Sequence, residues 1–256
     1  MVASTKSLMI SLLCLVLTGP ADAAPSSIFA TSSIRPWGYV NDQGVMDGVL
    51  VEFIDALHKG AEVSYENSIQ PYTRVIHSLK AGRINFAVLI DSPAMGPKVI
   101  KVDHLLVADV VLVGGKNREK IHSLDALSGE RVGYIRGSKY GRAFDRAENF
   151  SKYPVNSMNQ GLAMLLAGHL DALASLDHTL YFTMAEMSIE PNELCFMMKL
   201  GEVSASLYMS AHSPRDKIFQ LYVNEIANMR KEGQLDLFFK LPKMDFTSSQ
   251  ISPRAQ

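Results

Sequence analysis

The sequence predicts an α/β protein of two similar lobes with mainly parallel sheets, on three observations. The first is an internal repeat. Residues 79–91, Leu79-Lys80-Ala81-Gly82-Arg83-Ile84-Asn85-Phe86-Ala87-Val88-Leu89-Ile90-Asp91, return as residues 165–177, Leu165-Leu166-Ala167-Gly168-His169-Leu170-Asp171-Ala172-Leu173-Ala174-Ser175-Leu176-Asp177, with Leu, Ala, Gly and the final Asp at matching places. In each copy an amphipathic helix pattern stops at a glycine, which tolerates a left-handed backbone, and an apolar run too short for a second helix follows. The second observation is that strand and helix patterns alternate along the chain, as a layered α/β fold requires. The third is the long apolar run from Leu105 to Val113, after which polar residues to Ser128 lead into a fresh strand-helix series and hence a second lobe.

Taken in order, Ser27 to Ser33 reads as a first strand, and Arg35-Pro36-Trp37-Gly38-Tyr39 breaks it into a loop. Asp47 is a candidate cap for a helix whose Leu50, Phe53, Ile54 and Leu57 keep helical spacing until Gly60. Ala61 to Tyr65 reads as strand. Pro71 suits the first turn of a helix with Tyr72, Val75, Ile76 and Leu79 on one stripe, and the strand Phe86 to Ile90 follows. Asp91 to Lys101, with Pro93, Gly96 and Pro97, is a loop. The second lobe opens with strand Arg131 to Ile135, loop Arg136-Gly137-Ser138 and a helix near Lys139 to Ala147. Strand Tyr153 to Asn156, the second repeat, a helix from about His178 to Met187 and a strand near Leu194 to Met198 complete it. Ser204 to Ser210 is a further strand. Ser213-Pro214 starts a long helix that stops at Gly233, a short helix Gln234 to Lys240 follows, and from Pro242 the polar composition predicts a frayed end.

The chain of 256 residues is 47% hydrophobic and 20% charged, enough for one large or two small cores. A net charge of −1 gives no electrostatic reason to expect nucleic acid or an anionic membrane as partner. Lys6, the apolar run Leu8 to Leu17 and Ala21-Asp22-Ala23 form the pattern of a secretory signal cleaved after Ala23. The run is about half the roughly 20 apolar residues that span a bilayer. Loss of this leader removes one basic and one acidic side chain, Lys6 and Asp22, so the net charge stays −1. Cys14 leaves with the leader, and Cys195, inside Leu194-Cys195-Phe196-Met197, is then a lone thiol, most simply a buried small hydrophobe.

Ligand crevices in open α/β sheets lie beyond the carboxyl ends of the strands, so Asp91 and Ser92 at the first repeat and Asp177 at the second are the leading site candidates. Each has a structural alternative: a turn after the strand for Asp91 and Ser92, and a helix cap for Asp177. Trp37 and Tyr39 offer a flat apolar wall to a cleft or simple packing on the core. Tyr72 opens a helix and has two possible faces. Arg74 reads as a solvated surface charge. Gly137 and Ser138 precede a helix, where free N–H groups suit either an anionic ligand group or plain capping. Seven histidines without a His-Glu-x-x-His pattern and the lack of paired cysteines argue against a metal site, and no cofactor-binding motif is present. Neither a Gly-x-Ser-x-Gly elbow nor a phosphate-cradling glycine loop occurs.

Several segments resemble the periplasmic solute-binding proteins of the polar amino-acid type that feed ABC importers, the family 3 extracellular solute-binding proteins. Trp37-Gly38-Tyr39 through Asp47-Gly48-Val49-Leu50-Val51-Glu52-Phe53 is similar to their opening aromatic loop, glycine and helix. Pro71-Tyr72-Thr73-Arg74 with residues 79–85 resembles their second helix and third strand, and Val102-Asp103 the pair before their hinge. Leu127-Ser128-Gly129-Glu130-Arg131-Val132-Gly133 with Arg136-Gly137-Ser138 resembles the start of their second lobe, and Arg230-Lys231-Glu232-Gly233-Gln234-Leu235 their final helix break. The resemblance implies a two-lobed type II periplasmic-binding-protein-like fold with two interlobe crossings, near residues 108–113 and 203–209. Lobe one would be residues 24–109 plus 207–256, and lobe two residues 110–206. It further implies a periplasmic monomer that captures a small polar, amino-acid-like solute by lobe closure, with an ABC permease or a membrane receptor as partner, and no enzymatic activity.

Two departures from that family bear on the ligand. Lys98 stands where the family places an arginine fork for the ligand carboxylate, and the ungapped position of the ammonium-binding Asp is Leu176, with Asp177 one step late. One step along a strand turns a side chain to the opposite face, so standard α-amino-acid binding is not expected. By analogy, a few relatives of this fold are prephenate or arogenate dehydratases, for which Asp91 or Asp177 would have to supply an acid. Sequencing the exported protein from its amino terminus should give a chain starting at Ala24; soluble cytoplasmic protein retaining Met1 would overturn the export expectation.

Overall fold

A computed structural model describes residues 26–213 and 217–240, with a further strand pair, Met244–Asp245 and Ser252–Pro253. The expected leader, the helix start at Pro214 and, apart from that strand pair, the tail from Pro242 lie outside the described residues. In lobe one, β1 (Ser26–Ile28) and β2 (Thr31–Ser32) lead to a hairpin of β3 (Tyr39–Val40) and β4 (Met46–Asp47), then α1 (Val49–Ala61), β5 (Ser64–Glu66), β6 (Ile69–Gln70), α2 (Tyr72–Lys80) and β7 (Phe86–Ile90). β8 (Val99–Gly115) runs out of this lobe into the second, which adds β9 (Arg131–Ile135), α3 (Arg142–Arg146), β10 (Ser151–Val155), α4 (Met158–Leu166), β11 (Ala172–Leu176) and α5 (Asp177–Glu186). β12 (Leu194–Ser210) runs back, and α6 (Lys217–Lys231) and α7 (Gln234–Phe239) pack on lobe one.

β8 and β12, 17 residues each, pair antiparallel from Val99 opposite Ser210 to Gly115 opposite Leu194, a ribbon about 55 Å long at the usual strand rise. At one end β7 joins the outer edge of β12, Ile90 opposite Ala205; at the other β11 joins β8, Leu176 opposite Val110. The resulting six-stranded order is β10-β9-β11-β8-β12-β7. β1 pairs with β5 and β2 with β6 in parallel, and Phe29 bridges to Phe86.

This connectivity corrects the expectation of mainly parallel sheets. The sheet is mixed, because the two strands that pass between lobes run in opposite directions and each lobe's own strands must pair against them. The segments read as separate strands at Leu194 to Met198 and Ser204 to Ser210 are one strand. Register shifts at Phe196/Met198 and Lys199/Gly201 let β12 bend through the polar stretch between them. The helix expected to stop at Gly60 continues to Ala61 and ends on Glu62 in the left-handed conformation, at φ 54°. The carboxyl end of Glu225 on α6 lies over Gly60, and a side chain at 60 would require Glu225 to swing aside.

Period-two burial on both faces explains why these strands carry nearly continuous apolar runs. Phe86 and Val88 of β7 face a cluster with Phe29, Phe53, Leu57 and Tyr222, while Ala87 and Leu89 face Val75 and Leu79 of α2. In lobe two, Val111 and Val113 of β8 face Leu162 and Leu173, while Val110 and Leu112 face Leu127, Phe144 and Met197.

The two repeats fold alike, each a helix, a left-handed glycine and a strand, with φ 71° at Gly82 and 74° at Gly168. A methyl group at Gly168 meets nothing within 4 Å, whereas one at Gly82 meets His212 Cβ at 2.8 Å. Gly168→Ala should therefore cost only the backbone term, about 1–2 kcal/mol, and Gly82→Ala more than that, read as shifts of the urea midpoint.

Candidate functional site

The amino end of α1 builds one wall of the interlobe space. Its unpaired first-turn donors are met by the preceding loop: Val49 N–H donates to the Pro36 carbonyl (3.0 Å) and Leu50 N–H to the Trp37 carbonyl (2.8 Å). Gly48, at φ 117°, is what allows the approach, since a Cβ there would lie 2.7 and 2.9 Å from those two oxygens. Asp47, expected to cap α1, instead accepts a hydrogen bond from the adjacent Gly48 N–H, and Gly48 holds the cap position. Held in this way, the Trp37 indole is 7% exposed and reaches the other lobe, donating from Nε1 to Thr179 Oγ1 at 3.0 Å.

Between the lobes lies a cavity of about 60 Å³. Four strands present their last residue to it: Ser32 of β2, Ile90 of β7, Ile135 of β9 and Leu176 of β11. The cavity thus lies at strand carboxyl ends of both lobes, where α/β sheets commonly place their ligand crevices. Trp37, Leu50, Tyr72, Val88 and Leu89 complete the wall on one side; Ser138, Tyr140, Met158, Ser175 and Thr179 complete it on the other. Leu106, Ala108, Val203 and Ala205 of the long strands form its floor.

Every lining side chain is uncharged. Burial pushes the Tyr72 and Tyr140 phenols well above their ordinary range, so both remain neutral. Tyr72 makes a hydrogen bond with the Ile90 backbone, and Tyr140 oxygen accepts from Ile135 N–H at 3.2 Å. Ser175 Oγ donates to the Leu176 carbonyl at 2.8 Å. Ser32 Oγ, in a side chain 5% exposed, finds no hydrogen-bond partner among the described residues.

Of the residues singled out from sequence, Trp37, Tyr72 and Ser138 line this cavity, and Tyr39, Asp91, Ser92, Lys98, Gly137 and Asp177 do not. Tyr39 lies in an outer groove, with the Arg35 guanidinium 3.8 Å from its ring centre. Asp91 is held away from the cavity by Lys101 Nζ at 2.5 Å and by the Tyr208 hydroxyl, which donates at 3.0 Å. Burial raises its pKa, but the hydrogen bonds from Lys101 and Tyr208 and the Lys101 charge outweigh this and leave it below the ordinary carboxylate value. Lys98 is exposed at the end of the 3-10 turn Pro93–Lys98, and Ser92 is half-buried just before that turn.

Asp177 is fully buried as the first residue of α5, accepting from His178 N–H at 2.9 Å, with His178 Nε2 3.7 Å from its other oxygen. The two repeat aspartates therefore do not face one cleft. The residues one step earlier, Ile90 and Leu176, do, together with their neighbours Leu89 and Ser175; β11 ends at Leu176, and Asp177 turns into the buried start of α5. Gly137 and Ser138 do not cap a helix, since α3 starts only at Arg142; Ser138 N–H donates to the Ile135 carbonyl, and Gly137 lies against Thr73 of the other lobe. Sequence reasoning missed Ser32, Tyr140, Ser175 and Thr179. Ser32 was discoverable as the end of the first strand pattern; the others carry no local signal. Among the described residues, no group of three or more His, Cys, Asp or Glu could hold a metal ion, and no helix is long and apolar enough to cross a membrane.

No family model and no curated protein matches this chain. Solved structures do resemble it. A histidine kinase sensor domain with similarity to periplasmic binding proteins shares 14% identity and a TM-score of 0.71 over 84% of this chain and 93% of its own. The substrate-binding protein of an amino acid ABC transporter gives 16% and 0.71 over 84% and 99%. An ancestral amino-acid-binding protein, a precursor of cyclohexadienyl dehydratase, gives 16% and 0.70 over 84% and 93%. At such identities the likeness speaks for the fold: this chain is built as a two-lobed α/β periplasmic-binding-protein-like molecule.

Proposed function

We propose that the protein is an exported solute-binding protein that captures a small organic molecule between its lobes and presents the closed form to a membrane partner. The observation that carries this reading is the cavity walled by strand ends of both lobes and bridged by the Trp37–Thr179 hydrogen bond. A ligand held there touches both lobes at once, and only a ligand with higher affinity for the closed arrangement can shift an open-closed equilibrium. A second lobe contact, Arg35 Nε to Glu186 at 3.2 Å, lies at the surface, where ion pairs add little. The structural neighbours include both a transporter's binding protein and a kinase sensor domain, so an ABC permease and a receptor are both candidate partners. The periplasm, reached by cleavage after Ala23, is the proposed site of action, with the protein acting as a monomer.

Binding without chemical change is the reading the lining supports. A dehydratase of the prephenate or arogenate type needs an acid in the cleft, and Asp91 and Asp177 are engaged outside the cavity.

Trp37 is the only tryptophan, so its emission reports on the site. A screen of small solutes should find at least one that shifts this emission and raises the melting temperature by mass action. If no solute moves either signal, the binding reading falls. Thr179→Val keeps the shape and removes the acceptor, leaving a buried indole N–H unpaired on closure. It should weaken the affinity of such a solute on the order of tenfold, in line with about 1–3 kcal/mol for an orphaned donor, and shift unliganded emission to the red. Unchanged affinity in that variant would show that closure does not run through this contact.

A further inference from the structure

We propose that the cavity selects a small uncharged solute, with an apolar body and one hydroxyl or carbonyl group held by Ser32, and rejects zwitterionic amino acids and carboxylates. This inference rests on the solute-binding reading and deepens it.

The lining offers a charged ligand no counter-charge. A carboxylate or ammonium placed among Trp37, Leu106, Ile135, Met158 and Leu176 would lose its hydration and gain no partner of opposite sign. The charged residues adjoining the lining stand outside it: Arg35 pairs with Glu186, Asp91 with Lys101 and Tyr208, Arg136 with Asn156, Asp177 lies beside His178, and Lys139 is half-buried beyond the wall.

Most of the polar groups at the wall are likewise occupied. Ser175 donates to the Leu176 carbonyl, Thr179 accepts from Trp37, and Tyr140 is bonded to Ile135 N–H and to Ser138. Ser32 Oγ is the exception, a buried hydroxyl at the cavity wall with no partner among the described residues. A buried hydroxyl is usually satisfied, and a ligand oxygen or N–H at this wall would satisfy it. The cavity, about 60 Å³, restricts the class to small molecules.

A series on one carbon skeleton tests this on the full mature chain: 2-methylpropan-1-ol and isobutyramide as neutral probes, isobutyrate and L-valine as charged ones, read by Trp37 emission and calorimetry. The neutral probes should bind saturably, and the charged ones at least about 100-fold more weakly. Ala205→Leu, which fills the floor, should abolish binding. Ser32→Ala should weaken the neutral probes about 2–10-fold, the usual worth of one hydrogen bond. It should leave the ligand-free melting temperature unchanged or slightly higher, because it deletes an unpaired buried group. A merely structural serine would show the opposite pattern, with lower stability and intact affinity, and that result would overturn its role. Isobutyrate or L-valine binding as tightly as the alcohol, and lost in Ala205→Leu, would overturn the neutral-ligand inference while leaving the solute-binding reading intact. Failure of all four probes would overturn the inference as well; the solute-binding reading would fall with it only if the wider solute screen were also silent.

Discussion

The antiparallel ribbon of β8 and β12 is the constraint on which the rest of the molecule depends. Each strand passes through both lobes, so neither lobe's sheet is complete without it, and the backbone donors and acceptors of β7, β9 and β11 find their places by pairing outward from it. Between the segment flanked by β7 and the segment flanked by β11, the ribbon has no outer neighbour. The register shifts at Gly201, φ 142°, opposite Val110, where β11 begins to flank the ribbon through Leu176, and Lys199 bridges Asp109 at 2.8 Å and Glu202 at 2.9 Å.

The ribbon also explains the character of the site. It lays the floor of the cavity with Leu106, Ala108, Val203 and Ala205, small or aliphatic residues at the crossing. Strand ends from both lobes converge above that floor, and each end delivers its last inward-facing side chain. The aspartates that follow β7 and β11 turn to other partners: one to Lys101 on β8 and Tyr208 on β12, the other to the buried start of α5. An ionised carboxylate in an apolar surround is stable only with partners, so the groups that hold Asp91 also keep its charge out of the cavity.

Much of the fold was legible because it rests on local pattern. The repeat, the runs Phe86 to Ile90 and Arg131 to Ile135, and the glycines that stop α2 and α4 appear in the structure as the sequence implies. Elsewhere the reading failed. Lys199-Leu200-Gly201-Glu202 falls between two expected strands, yet it is itself strand and joins them into one. Gly60 reads as a helix stop, yet it lies inside α1, and the helix ends at Ala61, followed by Glu62 in the left-handed conformation. Asp47 reads as a cap, yet the donors of α1 are satisfied by carbonyls of the loop that carries Trp37.

By itself, the sequence determined the local conformations: where the chain turns, which segments are buried on one face or two, and that two similar units exist. Those follow from side-chain periodicity and backbone preference, which act over a few residues. Only the tertiary structure decided strand direction and which residue at each strand end faces the cavity. An apolar run reads the same for a parallel as for an antiparallel strand, so hydropathy could not reveal that β8 and β12 oppose each other. Inward or outward placement of Leu176 against Asp177 turned on where β11 ends against β8, Leu176 opposite Val110, a matter of register between segments more than sixty residues apart.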